Sequence, residues 1–187
     1  MKTLAYCLLI LSWAFISAAG QQTALIGEDP KAWQKISPPS AGFTILMPGR
    51  PAEEKQSVDT KLGKIENYTF IVKTGTAVYG AMYGDFPEVV SDPSTIKAML
   101  DGARDNAIST ARGKLVREDQ ISLANYAGRE WFVELPGDLV LSARAFWVQR
   151  RLYQLIVVMP RAANLPADAR KLRQEAVSKF FDSFKLN

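Results

Sequence analysis

The sequence predicts an α+β domain in which a central antiparallel β-sheet is flanked by helices, and three observations support this. The second half of the chain holds three apolar, β-favouring runs joined by short turns, at 129–135, 139–149 and 151–159. Such runs are typical of an antiparallel meander. An earlier hairpin and two segments with helical spacing accompany it. Only one link between strands is long, and it holds a helix, which favours antiparallel strands packed against helices.

The N-terminus has the three-part pattern of a secretory signal peptide at residues 1–20. Lys2 is a lone positive charge, the apolar run 4–16 follows it, and small residues for a signal peptidase come next, at 17–20. The apolar run is shorter than the ~20 residues of a comfortable membrane span. We therefore expect cleavage, no stable membrane anchor and export to the periplasm or the extracellular space. An uncleaved N-terminal anchor is the alternative.

The rest of the chain predicts one domain. Residues 21–32 are small and polar, which indicates a flexible lead-in, and 33–187 is long enough to bury its own core. The net charge is +4, from 23 basic and 19 acidic residues, and removal of residues 1–20 takes away only Lys2. Since this charge is mild and we find no nucleic-acid motif, we expect no nucleic-acid partner.

The first half of the domain predicts short strands at 33–36, 43–47, 65–73 and 77–86. Residues 52–62 are charged and are expected to be exposed. Gly80 and Gly84 share one face of the last of these strands. Their missing side chains leave a flat patch, which a helix can approach closely; a ligand is the less favoured alternative.

Two helices are expected. Asp92 is a good N-cap and Pro93 fits the first helical position, so a helix should run to about residue 112 and stop at Gly113. A strand at 114–123 and a turn at 125–128 follow. The last helix is expected at 167–185, with an apolar stripe that docks it on the sheet: Leu172, Ala176, Val177, Phe180, Phe181 and Phe184.

The composition excludes several kinds of catalysis. There is no histidine, which removes histidine-based triads, proton shuttling and most zinc or copper sites. Cys7 is the single cysteine and would leave with the signal peptide, so the mature chain lacks thiol chemistry. We find no phosphate-binding glycine loop and no nucleophile elbow. The sequence therefore predicts no enzyme, no cofactor and no metal.

Carboxylates and aromatic side chains are the remaining candidates. Glu130 and Glu134 share a strand face and could form an acid–base pair, although a solvated face or pairing with Arg144 is the favoured interpretation. Asp85 and Glu88 could contribute to a calcium site, with an ordinary turn as the favoured alternative. The weak candidates for ligand binding are aromatic residues on predicted strands, for which core packing is the favoured interpretation: Tyr79, Tyr83, Trp147 and Tyr153.

Four stretches resemble a family of exported bacterial proteins of unknown function. They are the segment 43–51 (FTILMPGRP), Gly128-Arg129-Glu130, the segment 151–155 (RLYQL) and the segment 180–184 (FFDSF). The order of elements is similar to that of the PsbP-like fold, a central antiparallel sheet between helical layers. This resemblance implies a binding or accessory role, and it transfers no functional residue because these stretches are packing and turn motifs.

The combined prediction is an exported, non-enzymatic interaction or accessory domain, with an unknown protein as its partner. The alternative is a small-molecule or carbohydrate-binding protein that uses an aromatic sheet face. A binder should show a concave pocket with two or more exposed aromatics. An interaction domain should show a flat apolar patch and no pocket.

Overall fold

The computed structural model describes residues 30–60, 63–163 and 165–187. The signal peptide expected at 1–20 and residues 21–29 of the expected lead-in lie outside the described residues. The described chain starts with a 3-10 turn, Pro30–Ala32. None of the described helices is long and apolar enough to cross a membrane.

Within the described residues the chain forms ten strands and two helices. In chain order they are β1 (Gln34–Ile36), β2 (Phe43–Met47), β3 (Ala52–Thr60), β4 (Gly63–Lys73), β5 (Val78–Asp85), α1 (Pro93–Ala111), β6 (Lys114–Leu123), β7 (Tyr126–Leu135), β8 (Leu139–Val148), β9 (Arg151–Pro160), α2 (Ala167–Asp182) and β10 (Lys185–Leu186).

Seven strands form one sheet in the order β3-β4-β5-β9-β8-β7-β6, and every neighbouring pair is antiparallel. Strands β7, β8 and β9 are the predicted meander, and β9 continues the sheet onto β5 of the earlier hairpin. A small antiparallel sheet, β1-β2-β10, is separate. The structure therefore confirms the α+β class and the antiparallel sheet flanked by helices.

The large sheet buries both of its faces. Helix α1 packs on what we call the α1 face, whose core includes Met99, Leu100, Trp131, Leu141 and Ile156. Helix α2 and the small sheet cover the opposite, α2 face, whose core includes Phe43, Tyr79, Tyr153, Phe180 and Phe184. The alternation of side chains along each strand sends neighbouring residues to different cores.

Local capping explains the bounds of α1. The Asp92 carboxylate accepts a hydrogen bond from the backbone N–H of Thr95 at 2.8 Å, and Pro93 is the first helical residue, as predicted. At the other end Arg112 adopts a left-handed conformation (φ +50°), and the Gly113 N–H bonds to the Ile108 carbonyl at 2.9 Å. The helix thus ends where the sequence indicated.

Helix α2 is shorter than the predicted 167–185. It ends at Asp182 because the chain turns to pair β10 with β2, and the Ser183 hydroxyl helps to fix this turn. That hydroxyl accepts from the Leu46 N–H at 2.9 Å and donates to the Phe180 carbonyl at 2.8 Å. Leu172 leaves the predicted apolar stripe: it is 43% exposed, whereas Ala169 in the first turn of α2 is buried.

The structure differs from three further predictions. Residues 52–60, expected only to be exposed, form the edge strand β3, and β7 begins at Tyr126 inside the expected 125–128 turn. Neither a helix nor a ligand occupies the space beside Gly80 and Gly84. A Cβ at Gly80 would lie 2.8 Å from Ile156 Cγ1, and one at Gly84 would lie 2.5 Å from Asn67 Oδ1. Side chains from neighbouring strands therefore fill the glycine patch.

Candidate functional site

Three of the four aromatic candidates, Tyr79, Tyr83 and Tyr153, lie buried in the α2-face core. The Tyr153 hydroxyl donates to the Ala41 carbonyl at 2.8 Å, and burial raises the pKa of this phenol. The Arg151 guanidinium lies 4.4 Å from the centre of the Tyr83 ring and pairs with Asp85 at 2.6 Å. These tyrosines pack inside the domain and present no open face to a ligand.

The fourth candidate, Trp147, borders a cleft on the α1 face. This cleft, which we call the α1 cleft, has a volume of about 480 Å³. One wall is the loop before α1 with the first turns of the helix, including Val89, Val90 and Ile96. The other wall is the β6–β7 turn with Tyr126, and Trp147 and Arg129 lie between them.

Hydrogen bonds fix the loop wall to the end of the sheet. The Val90 N–H donates to the Gln149 carbonyl at 3.0 Å, and the Phe86 N–H donates to the Arg150 carbonyl at 2.9 Å. The Trp147 indole N–H is shared between the Gln149 carbonyl at 2.9 Å and the Val90 carbonyl at 3.3 Å. Trp147 therefore joins the sheet to this wall, and the cleft keeps a defined shape.

The rim of the α1 cleft combines exposed polar residues with one well-exposed large hydrophobic residue. Val89 is 66% exposed, the largest value among the exposed large hydrophobic residues of the described chain. Tyr126 and Val90 are half-buried. An exposed valine beside a concave apolar surface is typical of a place where another molecule is bound.

A cluster of ion pairs lies beneath the cleft. Arg129 is only 7% exposed, and its Nη2 lies 3.2 Å from Asp101 Oδ1. Its Nε lies 3.4 Å from Glu118 Oε1, a contact whose geometry makes no hydrogen bond. Arg104 pairs with Glu118 at 2.6 Å, and Lys97 pairs with Asp101 at 2.6 Å. The cluster ties α1 to strands β6 and β7.

The charges in this cluster alter the pKa of Asp101. Burial by itself would raise that pKa, but the hydrogen bond from Lys97 and the nearby Arg104 and Arg129 outweigh it and lower the pKa below the ordinary value. Lys97 and Arg129 are the charged residues that line the cleft itself, and both are basic. Asp101 and Glu118 lie behind them.

Neither Val89 nor Arg129 was predicted from sequence to be a site residue. A signal existed for each. Val89-Val90 is an apolar pair in an otherwise polar loop, and Arg129 opens an apolar β-strand. Neither signal indicates that the two residues line the same cleft, because β7 and the loop before α1 are far apart in the chain.

Three of the four carboxylate candidates, Glu130, Glu134 and Asp85, pair with an arginine. Glu130 pairs with Arg144 at 2.7 Å, which is the favoured interpretation of its position, and Glu134 pairs with Arg161 at 2.8 Å. The hydrogen bond from Arg161 lowers the pKa of Glu134. Each of the two glutamates is thus paired with an arginine. Among the described residues no group of three or more Asp, Glu, His or Cys side chains could hold a metal ion.

No protein-family model matches the chain, and no curated protein matches its sequence. A solved structure similar to it is the solution structure of cyanobacterial PsbP (CyanoP) from Synechocystis sp. PCC 6803. The two share 11% sequence identity and a TM-score of 0.49, over 91% of this chain and 99% of that one. A PsbP protein is thus among the similar structures, as the sequence resemblance predicted; it gives this chain no ligand, partner or functional residue.

Proposed function

We propose that the protein is an exported, non-catalytic interaction domain that binds a segment of a partner protein in the α1 cleft. The observation that carries this proposal is the well-exposed Val89 on the rim of a preformed concave surface. Burying this side chain against a partner would gain roughly 25 cal/mol for each Å² of apolar surface removed from water.

Two features support a binding role over catalysis. The sequence contains no histidine, and its one cysteine lies within the expected signal peptide. The strand carboxylates Glu130 and Glu134 each pair with an arginine, which leaves neither of them free as a general acid or base. Export rests on the signal peptide expected at residues 1–20.

A small molecule in the same cleft is the second candidate. It is favoured by the cleft volume of about 480 Å³, which lies within the ~300–1,000 Å³ range of ligand pockets. The cleft lining offers one accessible aromatic ring, the half-buried Tyr126, because Trp147 is only 1% exposed.

Site-specific photocrosslinking in the producing organism tests the proposal. The full chain would carry a benzophenone amino acid at Val89 or, as the matched control, at Val116. Val116 is also an exposed valine, at 53%, but it lies on edge strand β6 outside the cleft. We expect a discrete crosslinked product from position 89 only, which disappears when Tyr126→Ala is added to the same chain.

Equal products from both positions, or none from position 89, contradict the proposal. Native mass spectrometry of the mature protein then separates the remaining cases. A small added mass that Tyr126→Ala removes supports the ligand candidate. The same spectrum reports whether residues 1–20 have been removed.

A further inference from the structure

The positive charge of the chain is concentrated in one layer of the fold. Segments 30–51 and 161–187 together contain nine basic and three acidic residues, whereas 52–160 contains thirteen basic and fourteen acidic residues. The two charged segments build β1, β2, α2 and β10, which cover the α2 face. The outer surface of this layer therefore carries more than the whole net charge of the protein.

The basic side chains of this layer have few acidic partners. Lys35, Arg170, Lys171 and Lys185 are exposed and make no ion pair with any of the described carboxylates. By contrast, the partly buried Arg104, Arg129, Arg144 and Arg151 of the large sheet and α1 all pair with Asp or Glu. The exposed Asp168, Glu175 and Asp182 of α2 offset part of the positive charge, but nine basic residues against three acidic ones leave the layer with a net positive charge.

Apolar groups lie among these charges. Leu172 is 43% exposed and stands between Lys171 and Arg173 in the chain. Trp33 is half-buried, and the Lys179 ammonium lies 4.6 Å from the centre of its ring. On the helix surface, the exposed Asp168 and Glu175 lie one turn before and after Leu172. An exposed leucine and a half-exposed tryptophan in a layer of net positive charge are typical of a surface that lies in the interface of a lipid bilayer.

We propose that the outer surface of α2 and β1, which we call the basic face, adsorbs reversibly to an anionic lipid bilayer. An anionic headgroup layer is extended and negative, so it can meet charges that a helix and a strand spread over one side of the domain. Leu172 and Trp33 favour a bilayer over an acidic protein, because apolar groups between the charges gain by insertion among the headgroups.

This arrangement leaves the other side of the molecule free. The basic face covers the α2 face of the sheet, and the α1 cleft lies on the opposite face. A protein adsorbed through α2 therefore presents the cleft away from the bilayer. The inference does not depend on what the cleft binds.

Vesicle co-sedimentation of the mature protein tests the inference. The probes are vesicles of phosphatidylglycerol with phosphatidylcholine, and vesicles of phosphatidylcholine alone, at low salt. The test variant is Arg170→Gln/Lys171→Gln. The matched control, Lys73→Gln/Arg150→Gln, also replaces one exposed lysine and one exposed arginine, but outside the basic face. Both variants lower the net charge by two.

We expect binding to the anionic vesicles only, and weaker binding as salt rises. The test variant should lose roughly 20-fold in partitioning, because each basic residue near an anionic surface contributes about fivefold. The control should change much less, and Leu172→Gln should weaken binding without a change of charge. Circular dichroism spectra that match the unchanged protein exclude a loss of folding.

Three outcomes overturn the inference. The first is equal binding to both kinds of vesicle, and the second is an equal loss in the test and control variants, which would show that only net charge matters. The third is binding to polyglutamate at the same salt without binding to anionic vesicles. That result would assign the basic face to an acidic protein.

Discussion

The two faces of the large sheet are built from different kinds of interaction. On the α2 face, aromatic rings pack directly on one another: Phe43 contacts Phe184 with ring centres 5.3 Å apart, and Tyr79 contacts Phe180 at 5.4 Å. On the α1 face, buried polar groups lie among the apolar ones. Asn67, Arg129 and Gln154 are the buried polar side chains of the described chain, and all three lie there.

The two faces of the sheet therefore differ in how freely their side chains can move. Interlocked rings have little freedom to move without loss of contact. The α1 face contains side-chain atoms without a hydrogen-bond partner, including Asn67 Oδ1 and Gln154 Oε1, and it bears the α1 cleft. We infer that the aromatic core of the α2 face is the more rigid of the two, while the side chains of the α1 face away from the cleft wall tolerate more rearrangement.

The largest expected effect is on the α2 face. Phe180 is fully buried, so Phe180→Ala should lower the free energy of unfolding by about 3–5 kcal/mol. Leu172→Ala on the same helix is the control, since that residue is exposed, and it should change stability by no more than ~0.5 kcal/mol. Urea unfolding followed by circular dichroism measures both. Similar midpoints for the two variants would show that α2 does not dock as described.

The next largest loss of stability is expected when the ion-pair cluster on the α1 face is broken. Arg129→Leu leaves Asp101 and Glu118 with Arg104 as their remaining arginine partner, and should cost roughly 2–3 kcal/mol. Arg117→Leu on strand β6 is the control. Its guanidinium also pairs with two carboxylates but is well exposed, so it should cost at most ~1 kcal/mol. Equal losses in urea unfolding would contradict the burial of the cluster.

A pair of glycine substitutions compares the rigidity of the two faces. A Cβ at Gly128 would lie 2.6 Å from the Ala145 carbonyl oxygen and 2.5 Å from the Phe146 ring, which is stacked on Phe184. Gly128→Ala should therefore cost about 1–3 kcal/mol. Gly84→Ala meets only the Asn67 amide oxygen, which can move, and should cost less. If Gly84→Ala is the more damaging change in a thermal melt, the α1 face is not the adaptable one.

The sequence predicted the elements that rest on local signals. Short turns and β-favouring runs indicated the meander, and Asp92 with Pro93 indicated the start of α1. Strand β3 was missed because it is an edge strand with polar side chains on both faces, so it lacks the alternation that marks a half-buried strand.

The candidate site could not be predicted because it depends on distant contacts. The α1 cleft joins the loop before α1, the β6–β7 turn and the end of β8. Trp147 was selected from sequence as an aromatic residue on a strand, but its position at the cleft follows from indole hydrogen bonds to Val90 and Gln149. Pairing of Glu134 with Arg161 likewise joins residues that local patterns do not connect.

The smallest expected effect concerns the first turn of α1, which forms part of the cleft wall. Hydrogen bonds from the hydroxyls of Ser94 and Thr95 and from the Thr95 N–H lower the pKa of Asp92 to about 2. Because the folded pKa lies below the unfolded value, the ionised carboxylate adds stability above about pH 4. That contribution is lost as the pH falls toward 2.

Comparison of Asp92→Asn with Asp92→Ala separates the effect of the N-cap hydrogen bonds from the effect of the carboxylate charge. Asparagine is also a good N-cap, so Asp92→Asn should melt close to the unchanged protein at pH 7, whereas Asp92→Ala should melt lower. Both variants should lose less stability than the unchanged protein between pH 5 and about pH 2, because neither can be protonated at this position. Thermal melts across this range measure the difference. If Asp92→Asn keeps the full acid dependence, another carboxylate causes it, and the lowered pKa of Asp101 on the same helix makes that residue the next to replace.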